Sequence, residues 1–213
     1  MNIIGVDPGS TTGIAFCTTT GRGGTAEFGV VATEEITGHE SVDALYGEGA
    51  HLDVKAGAWR WNEYYNALEC VAWMQQYGLE DGGVDLVVIE DFILRPAPGR
   101  GGASAGRAGI SPARIGGYIG LMLELGEYGE NGLSVVWQTA AMAKPMNKAR
   151  MEALGLWVVG SEHKRDAVRH CYVAWGRVST GGATVKPAVG GSTSKRVASK
   201  AAPRKASRTA KGK

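Results

Sequence analysis

Residues 3–16 read IIGVDPGSTTGIAF: an apolar run, one aspartate, then glycine, serine and threonine before a second apolar run. A buried strand that stops on a carboxylate and turns on glycine has two uses. It can place the carboxylate on a metal ion, or it can wrap backbone N–H groups around a nucleotide phosphate. Asp7 is the residue on which the two uses differ. Locally, NIIGVD predicts a short buried strand, Asp7-Pro8-Gly9 a turn, and TGIAFCTT a second strand running back beside the first.

Working outward, EFGVVATEEI predicts a third strand, with Gly23-Gly24 in the hairpin connection. Residues from about Glu34 to Gly57 are polar and glycine-bearing and select no element. From Trp59 to Tyr77 no Gly or Pro intervenes, and Tyr64, Leu68, Val71, Met74 and Gln75 recur at helical spacing up to Gly78. VDLVVIEDFIL is the strongest buried strand. The loop RPAPGRGGASAGRAGISPAR follows, then a helix over ARIGGYIGLMLELGEY, a strand at LSVVWQT, a short helical KARMEALGL and a final helix SEHKRDAVRHCYVAWGR. The order βββ-α-β-α-β-α predicts an α/β fold, a mixed central sheet flanked by helices.

A chain of 213 residues, 44% apolar with six tryptophans, suits one domain with a substantial core. No apolar run approaches the roughly 18 residues of a membrane span, and the start carries no secretion-signal pattern. Cys17, Cys70 and Cys171 are widely spaced, form no C-x-x-C pair and read as buried thiols of a reducing cytoplasm, not a zinc site.

The formal charge of +2 hides a division. Ten of the 23 Lys and Arg lie from Arg177 to Lys213, which holds no Asp or Glu; thirteen basic and 21 acidic residues remain in 1–176, a formal charge of −8. Residues 177–213 also lack the large apolar side chains that offset an ordering entropy of about 1–2 kcal/mol per residue. The expected organisation is therefore a domain at 1–176 and a disordered basic tail at 177–213. That tail is either a solubilising extension or a polybasic arm for nucleic-acid phosphates.

Three acids stand at the edges of buried elements. Asp7 ends the first strand, Glu90 the VDLVVIE strand, and Asp166 lies early in the last helix. His163 is three residues before Asp166, so the two share a helical face, and His170 lies further along the same side. Burying an unpaired carboxylate costs several kcal/mol, so each needs a partner. No Lys or Arg adjoins Asp7 or Glu90 in sequence. A pair of Mg²⁺ ions is one solution; turn capping or arginines reaching across the fold is the other.

The segments GVDPGSTTGIA, VVIEDF, SPARIGGYIGLMLE and HKRDAV, in this order over most of 1–176, resemble the RuvC family of Holliday-junction resolvases in the ribonuclease-H-like superfamily. Asp7 matches the family's D-P-G aspartate, Glu90 its glutamate on the fourth strand, and His163 and Asp166-Ala167 its last-helix motif. The resemblance implies that Asp7, Glu90, His163 and Asp166 are catalytic and metal-binding. Asp7 would bridge two Mg²⁺ (Mn²⁺ substituting), and His163 would ligate or move a proton. It further implies in-line hydrolysis to a 5′-phosphate and a 3′-hydroxyl, and a homodimer that nicks opposed strands of a four-way junction or other branched DNA. Gly116, Gly117 and Gly120 would permit close approach at a dimer seam or on the sheet. The stretch from Gln138 to Ser161 is shorter than the family's and residues 95–111 are richer in glycine, so no cleavage-sequence preference carries over. A compact member of this kind implies a bacteriophage or its host, acting in the bacterial cytoplasm.

Candidates for DNA contact are Ser10, Thr11 and Thr12 beside Asp7, then Arg95, Arg100, Arg107 and Arg114 in the glycine-rich loop and at its end. Lys144, Lys148, Arg150, Lys164 and Arg165 form a second group if 144–150 folds back on the last helix. Trp59 and Trp61 either stack on bases or enter the core. Other readings stand beside this one. The same fold serves flap, RNA–DNA hybrid and packaging nucleases, and a relative that binds DNA without cutting it is another. DPGSTTG also approaches the phosphate loop of the actin, heat-shock chaperone and sugar-kinase type.

Overall fold

The computed structural model describes residues 1–20, 27–50, 58–92, 111–126, 128 and 132–179. Among these residues the β-branched and apolar runs form five strands: β1 (Asn2–Asp7), β2 (Thr12–Thr20), β3 (Glu27–Ile36), β4 (Leu86–Asp91) and β5 (Ser134–Thr139). They make one sheet in the order β3-β2-β1-β4-β5. The first three meander antiparallel, whereas β1, β4 and β5 run parallel. Parallel neighbours need crossovers, and helices supply them: α1 (His39–Tyr46) and α2 (Ala58–Gln75) between β3 and β4, then α3 (Ser111–Leu125) before β5. After β5 come α4 (Ala140–Ala143), α5 (Lys148–Ala153) and α6 (Glu162–Ser179). The expected mixed sheet with flanking helices is the fold observed.

Side chains alternate across a strand, so each strand serves two cores. Ile4, Val6, Ile14, Val87 and Ile89 pack with Ala67, Cys70 and Met74 of α2 and Ile115 and Ile119 of α3. Ile3, Ala15, Cys17, Leu86 and Val88 pack on the opposite face with Ala167, Val168, Cys171 and Ala174 of α6. Asp7 continues the phase of Ile3, and Glu90 that of Leu86 and Val88. Period-two counting therefore puts both carboxylates on the α6 face, where β1 and β4 end. Gln138 on β5, paired with Glu90, joins them there.

Two glycines let α6 lie against that face. A Cβ on Gly5 would fall 2.2 Å from the Ala167 carbonyl oxygen, and one on Gly13 would fall 2.1 Å from that of His163. On the other face, Gly116 and Gly120 of α3 make room for the Trp137 ring, at 3.2 and 2.9 Å from a Cβ there, while Gly117 faces open space. Gly116 and Gly120 thus serve packing on the sheet.

Some boundaries differ from the sequence expectation. Helix α1 lies in the segment that suggested no element, and its support comes from another helix. Glu69 of α2 accepts hydrogen bonds from the Gly38 and Ser41 amides and the Ser41 hydroxyl. Helix α6 continues through Ser179, past the expected boundary at 176, and Ser179 Oγ donates to the Trp175 carbonyl at 2.7 Å. Residues 180–213 of the expected tail lie outside the described residues. So do the Gly23-Gly24 connection, most of the glycine-rich loop, and the side chains of Trp59 and Trp61.

Candidate active site

The ends of β1 and β4, the start of α6 and residues 140–148 enclose a cavity of about 510 Å³. Asp7, Glu90, Glu162, His163, Asp166, Arg169 and His170 line it from the sheet and α6, and Lys144 and Lys148 line it from the other side. All four residues proposed from sequence as one constellation, Asp7, Glu90, His163 and Asp166, therefore meet in one space. Helix α6 supplies a base to each acid. His163 Nδ1 lies 2.7 Å from Asp7 Oδ2 with one proton between them. His170 Nε2 lies 2.9 Å from Glu90 Oε2, and Arg169 donates to both Asp166 and Glu162. Arg169 is held in turn by the Met146 carbonyl at 2.8 Å.

Asp7 is 9% exposed. Its carboxyl is pushed up to about 7, chiefly by burial and further by the charges of Glu90 and Asp166, against the opposing hydrogen bond from His163. Glu162 shows the reverse, drawn below the usual carboxylate range by its bonds to Arg169 and Arg165. The three inward acids thus crowd negative charge into a buried space that the flanking bases only partly neutralise.

That imbalance bears on which residues could hold a metal. No three His, Cys, Asp or Glu groups among the described residues converge as a ready-made cation cage. The donor chemistry nevertheless fits a hard divalent ion. Asp7, Glu90 and Asp166 each use one oxygen in the bonds above, and none of the described hydrogen bonds uses Asp7 Oδ1, Glu90 Oε1 or Asp166 Oδ2.

The turn after β1 is organised by Thr12. Its hydroxyl donates to Asn66 Oδ1 at 2.7 Å and accepts from the Gly9 amide at 3.2 Å, while Asn66 Nδ2 donates to the Ile36 carbonyl at 2.8 Å. Thr12 is wholly buried. This corrects its assignment as a DNA contact: the hydroxyl fastens the D-P-G turn to α2. It also occupies a turn N–H that a phosphate cradle would use.

The remaining candidates divide. Lys144 and Lys148 are exposed at the cavity, Lys148 also pairing with Glu152 at 3.7 Å and standing 5.1 Å from the Trp157 ring centroid; Ser10 is exposed and Thr11 half-buried. Lys164 is largely covered and pairs with Glu34 at 3.8 Å. Arg165 stacks on Trp157, 4.6 Å from the ring centroid, and pairs with Glu162 at 3.0 Å. Arg114 pairs with the buried Glu63 at 3.2 Å. Lys164 and Arg165 are thus committed within the fold. Arg95, Arg100 and Arg107 lie outside the described residues. The sequence reading missed Arg169, Gln138, Gly5 and Gly13, and noted His170 without a role.

Against solved structures, the chain is similar to the Thermus thermophilus RuvC structure, with a TM-score of 0.52 at 15% identity over 88% of this chain and 99% of that one. The fold is ribonuclease-H-like. A structure of T. thermophilus RuvC in complex with Holliday junction substrate matches with a TM-score of 0.51, at the same identity and coverage. No protein-family model and no curated protein matches the chain. At this identity the likeness speaks for the architecture alone.

Proposed function

We propose that this protein is a divalent-cation-dependent DNA endonuclease that cuts four-way junctions or other branched DNA by paired nicks, acting as a homodimer. The observation that carries the reading is the convergence of Asp7, Glu90 and Asp166 with His163 in one cavity, at the carboxyl ends of parallel strands in a ribonuclease-H-like sheet. The RuvC neighbour in complex with Holliday junction substrate supports the substrate class. Two opposed nicks would take two such cavities, one from each subunit of a homodimer.

Asp7 Oδ1, Glu90 Oε1 and Asp166 Oδ2 are the atoms that would hold Mg²⁺ or Mn²⁺. When bound, such ions supply Lewis acidity to the phosphodiester and lower the pKa of an attacking water. The chain supplies the rest. Lys144 and Lys148 bring positive charge to the rim facing the acids and position the DNA backbone. His163, 2.7 Å from Asp7 Oδ2, would ligate an ion or move a proton at that oxygen. Arg169 donates to both Asp166 and Glu162 and offsets part of the acidic charge at the cavity.

The test is incubation with Mg²⁺ and labelled four-way junctions, flaps, duplexes and RNA–DNA hybrids. The expected product is a symmetric pair of nicks in the junction. Cleavage confined to flaps or hybrids would move the protein to another nuclease class, and cleavage of none would overturn the reading.

The tail gives a second expectation. Removing residues 180–213 takes away nine Lys and Arg and leaves α6 whole. Junction affinity should fall and its dependence on salt should flatten, because each neutralised phosphate contributes about −0.9 to the slope of log K against log salt. Cleavage at saturating protein should persist. Equal affinity and slope in filter binding across a salt series would show that the tail does not touch DNA.

A further inference from the structure

His170 is completely buried between two polar side chains on the sheet, with Nε2 2.9 Å from Glu90 Oε2 and Nδ1 3.1 Å from Gln138 Oε1. Gln138 is itself 1% exposed, and its Nε2 has no hydrogen-bond partner among the described residues. A buried amide N–H₂ without a partner is costly, and the three groups allow few proton arrangements. If a neutral ring carried its proton on Nδ1 for Gln138 Oε1, the bare Nε2 lone pair would face the Glu90 carboxylate, setting two acceptors against each other. If the ring were doubly protonated, with the Glu90 carboxylate as its counter-charge, the Gln138 N–H₂ would still go unpaired. The two ends of an amide have the same shape, so half a turn of the Gln138 amide offers an N–H to Nδ1. Both ring nitrogens are then satisfied, and the amide atom left without a partner among the described residues is a carbonyl oxygen in place of the N–H₂.

We propose that His170 is a positioning residue for Glu90, its Nε2–H donating to Glu90 Oε2 and its Nδ1 held by an N–H of Gln138. The role rests on the reading of Glu90 as a cation-holding carboxylate. It fixes one oxygen of Glu90 and the rotamer of its carboxylate, leaving the other oxygen for a ligand. Buried partners of this kind typically change metal affinity by about 10–100-fold when removed.

The experiment uses the full chain, ¹⁵N-labelled and free of metal, and then Mn²⁺ titrations followed by electron paramagnetic resonance of the free ion. In long-range ¹H–¹⁵N spectra, His170, identified by its loss in His170→Gln, should show a protonated Nε2 and an unprotonated Nδ1. His170→Leu should weaken Mn²⁺ binding by about 10–100-fold. His170→Gln, which keeps an N–H donor for Glu90, should recover much of that loss. A proton on Nδ1 in the spectrum overturns the proposal, and so does wild-type Mn²⁺ affinity in His170→Leu or a folded His170→Gln as weak as the leucine variant. If the wild-type chain binds no Mn²⁺, the reading of the cavity as a cation site fails, whereas the spectrum still decides the tautomer and the Gln138 contact.

Discussion

Asp7→Asn should reduce junction cleavage by about 10²–10³-fold, the scale of removing a principal electrostatic stabiliser of a transition state, and yet make the metal-free protein more stable at pH 8. The second half follows from linkage. Asp7 is raised from 3.8 to about 7 in the folded chain, chiefly by burial. Between those values the folded state binds more protons than the unfolded state, so stability falls as pH rises through this window and stays reduced above it. An asparagine carries no charge and escapes the loss. The gain at pH 8 is of the order of a few kcal/mol at most, reduced by whatever His163 contributes to the charged carboxylate. Each kcal/mol corresponds to roughly 2–4 °C in Tm for a chain of this size. Calorimetry in a chelator at pH 4 and pH 8 should show the two proteins converging at the lower pH and the variant melting higher at the upper. Added Mg²⁺ should raise the Tm of wild type more than that of the variant. A variant that melts lower at pH 8, or cuts as well as wild type, is incompatible with Asp7 as a buried, cation-seeking carboxylate.

The parts of this site legible in sequence are those set by local periodicity. Alternation along NIIGVD and LVVIED is enough to put Asp7 and Glu90 on the same side as the last helix, once β1 and β4 are neighbours. The three-residue spacing of His163 and Asp166 fixes their common face. His170, Arg169 and Gln138 were illegible as partners because their roles depend on the order of the sheet. Gln138 meets His170 only because β5 pairs with β4 in a register that sets Gln138 against Glu90. Gly5 and Gly13 read as strand and turn residues, yet their significance is the absent Cβ that admits a helix some 150 residues away in sequence. Thr12 misled in the opposite direction. A hydroxyl beside a candidate active-site aspartate resembles a substrate contact, but the Asn66 that engages it comes from a helix more than fifty residues along the chain. Helix α1 escaped notice because Glu69, on α2, caps it.

Gly13→Ala tests whether that close approach sets the chemistry. The added Cβ would stand 2.1 Å from the His163 carbonyl oxygen, 2.2 Å from its carbon and 2.8 Å from the Lys164 nitrogen. All three are backbone atoms, so no side chain can rotate aside. Relief requires the first turn of α6 to retreat from β2 by on the order of an ångström, since nonbonded heavy atoms settle near 3.5–4.0 Å. That retreat draws His163 from Asp7 and carries Asp166 and Arg169 with it. Overpacking of this kind costs about 1–3 kcal/mol, and a misplacement of about 1 Å can cost 10²-fold in rate. The expected result is a folded protein with a lowered Tm and cleavage down by about two orders of magnitude. Gly117→Ala is the matched control. It adds the same methyl to a helical glycine that faces open space, should gain up to about 1 kcal/mol from helix propensity, and should cut normally. If Gly13→Ala loses stability but keeps its rate, the seat of α6 supports only the fold. If both variants lose activity together with dimerisation, the open face at Gly117 lies in the seam between subunits.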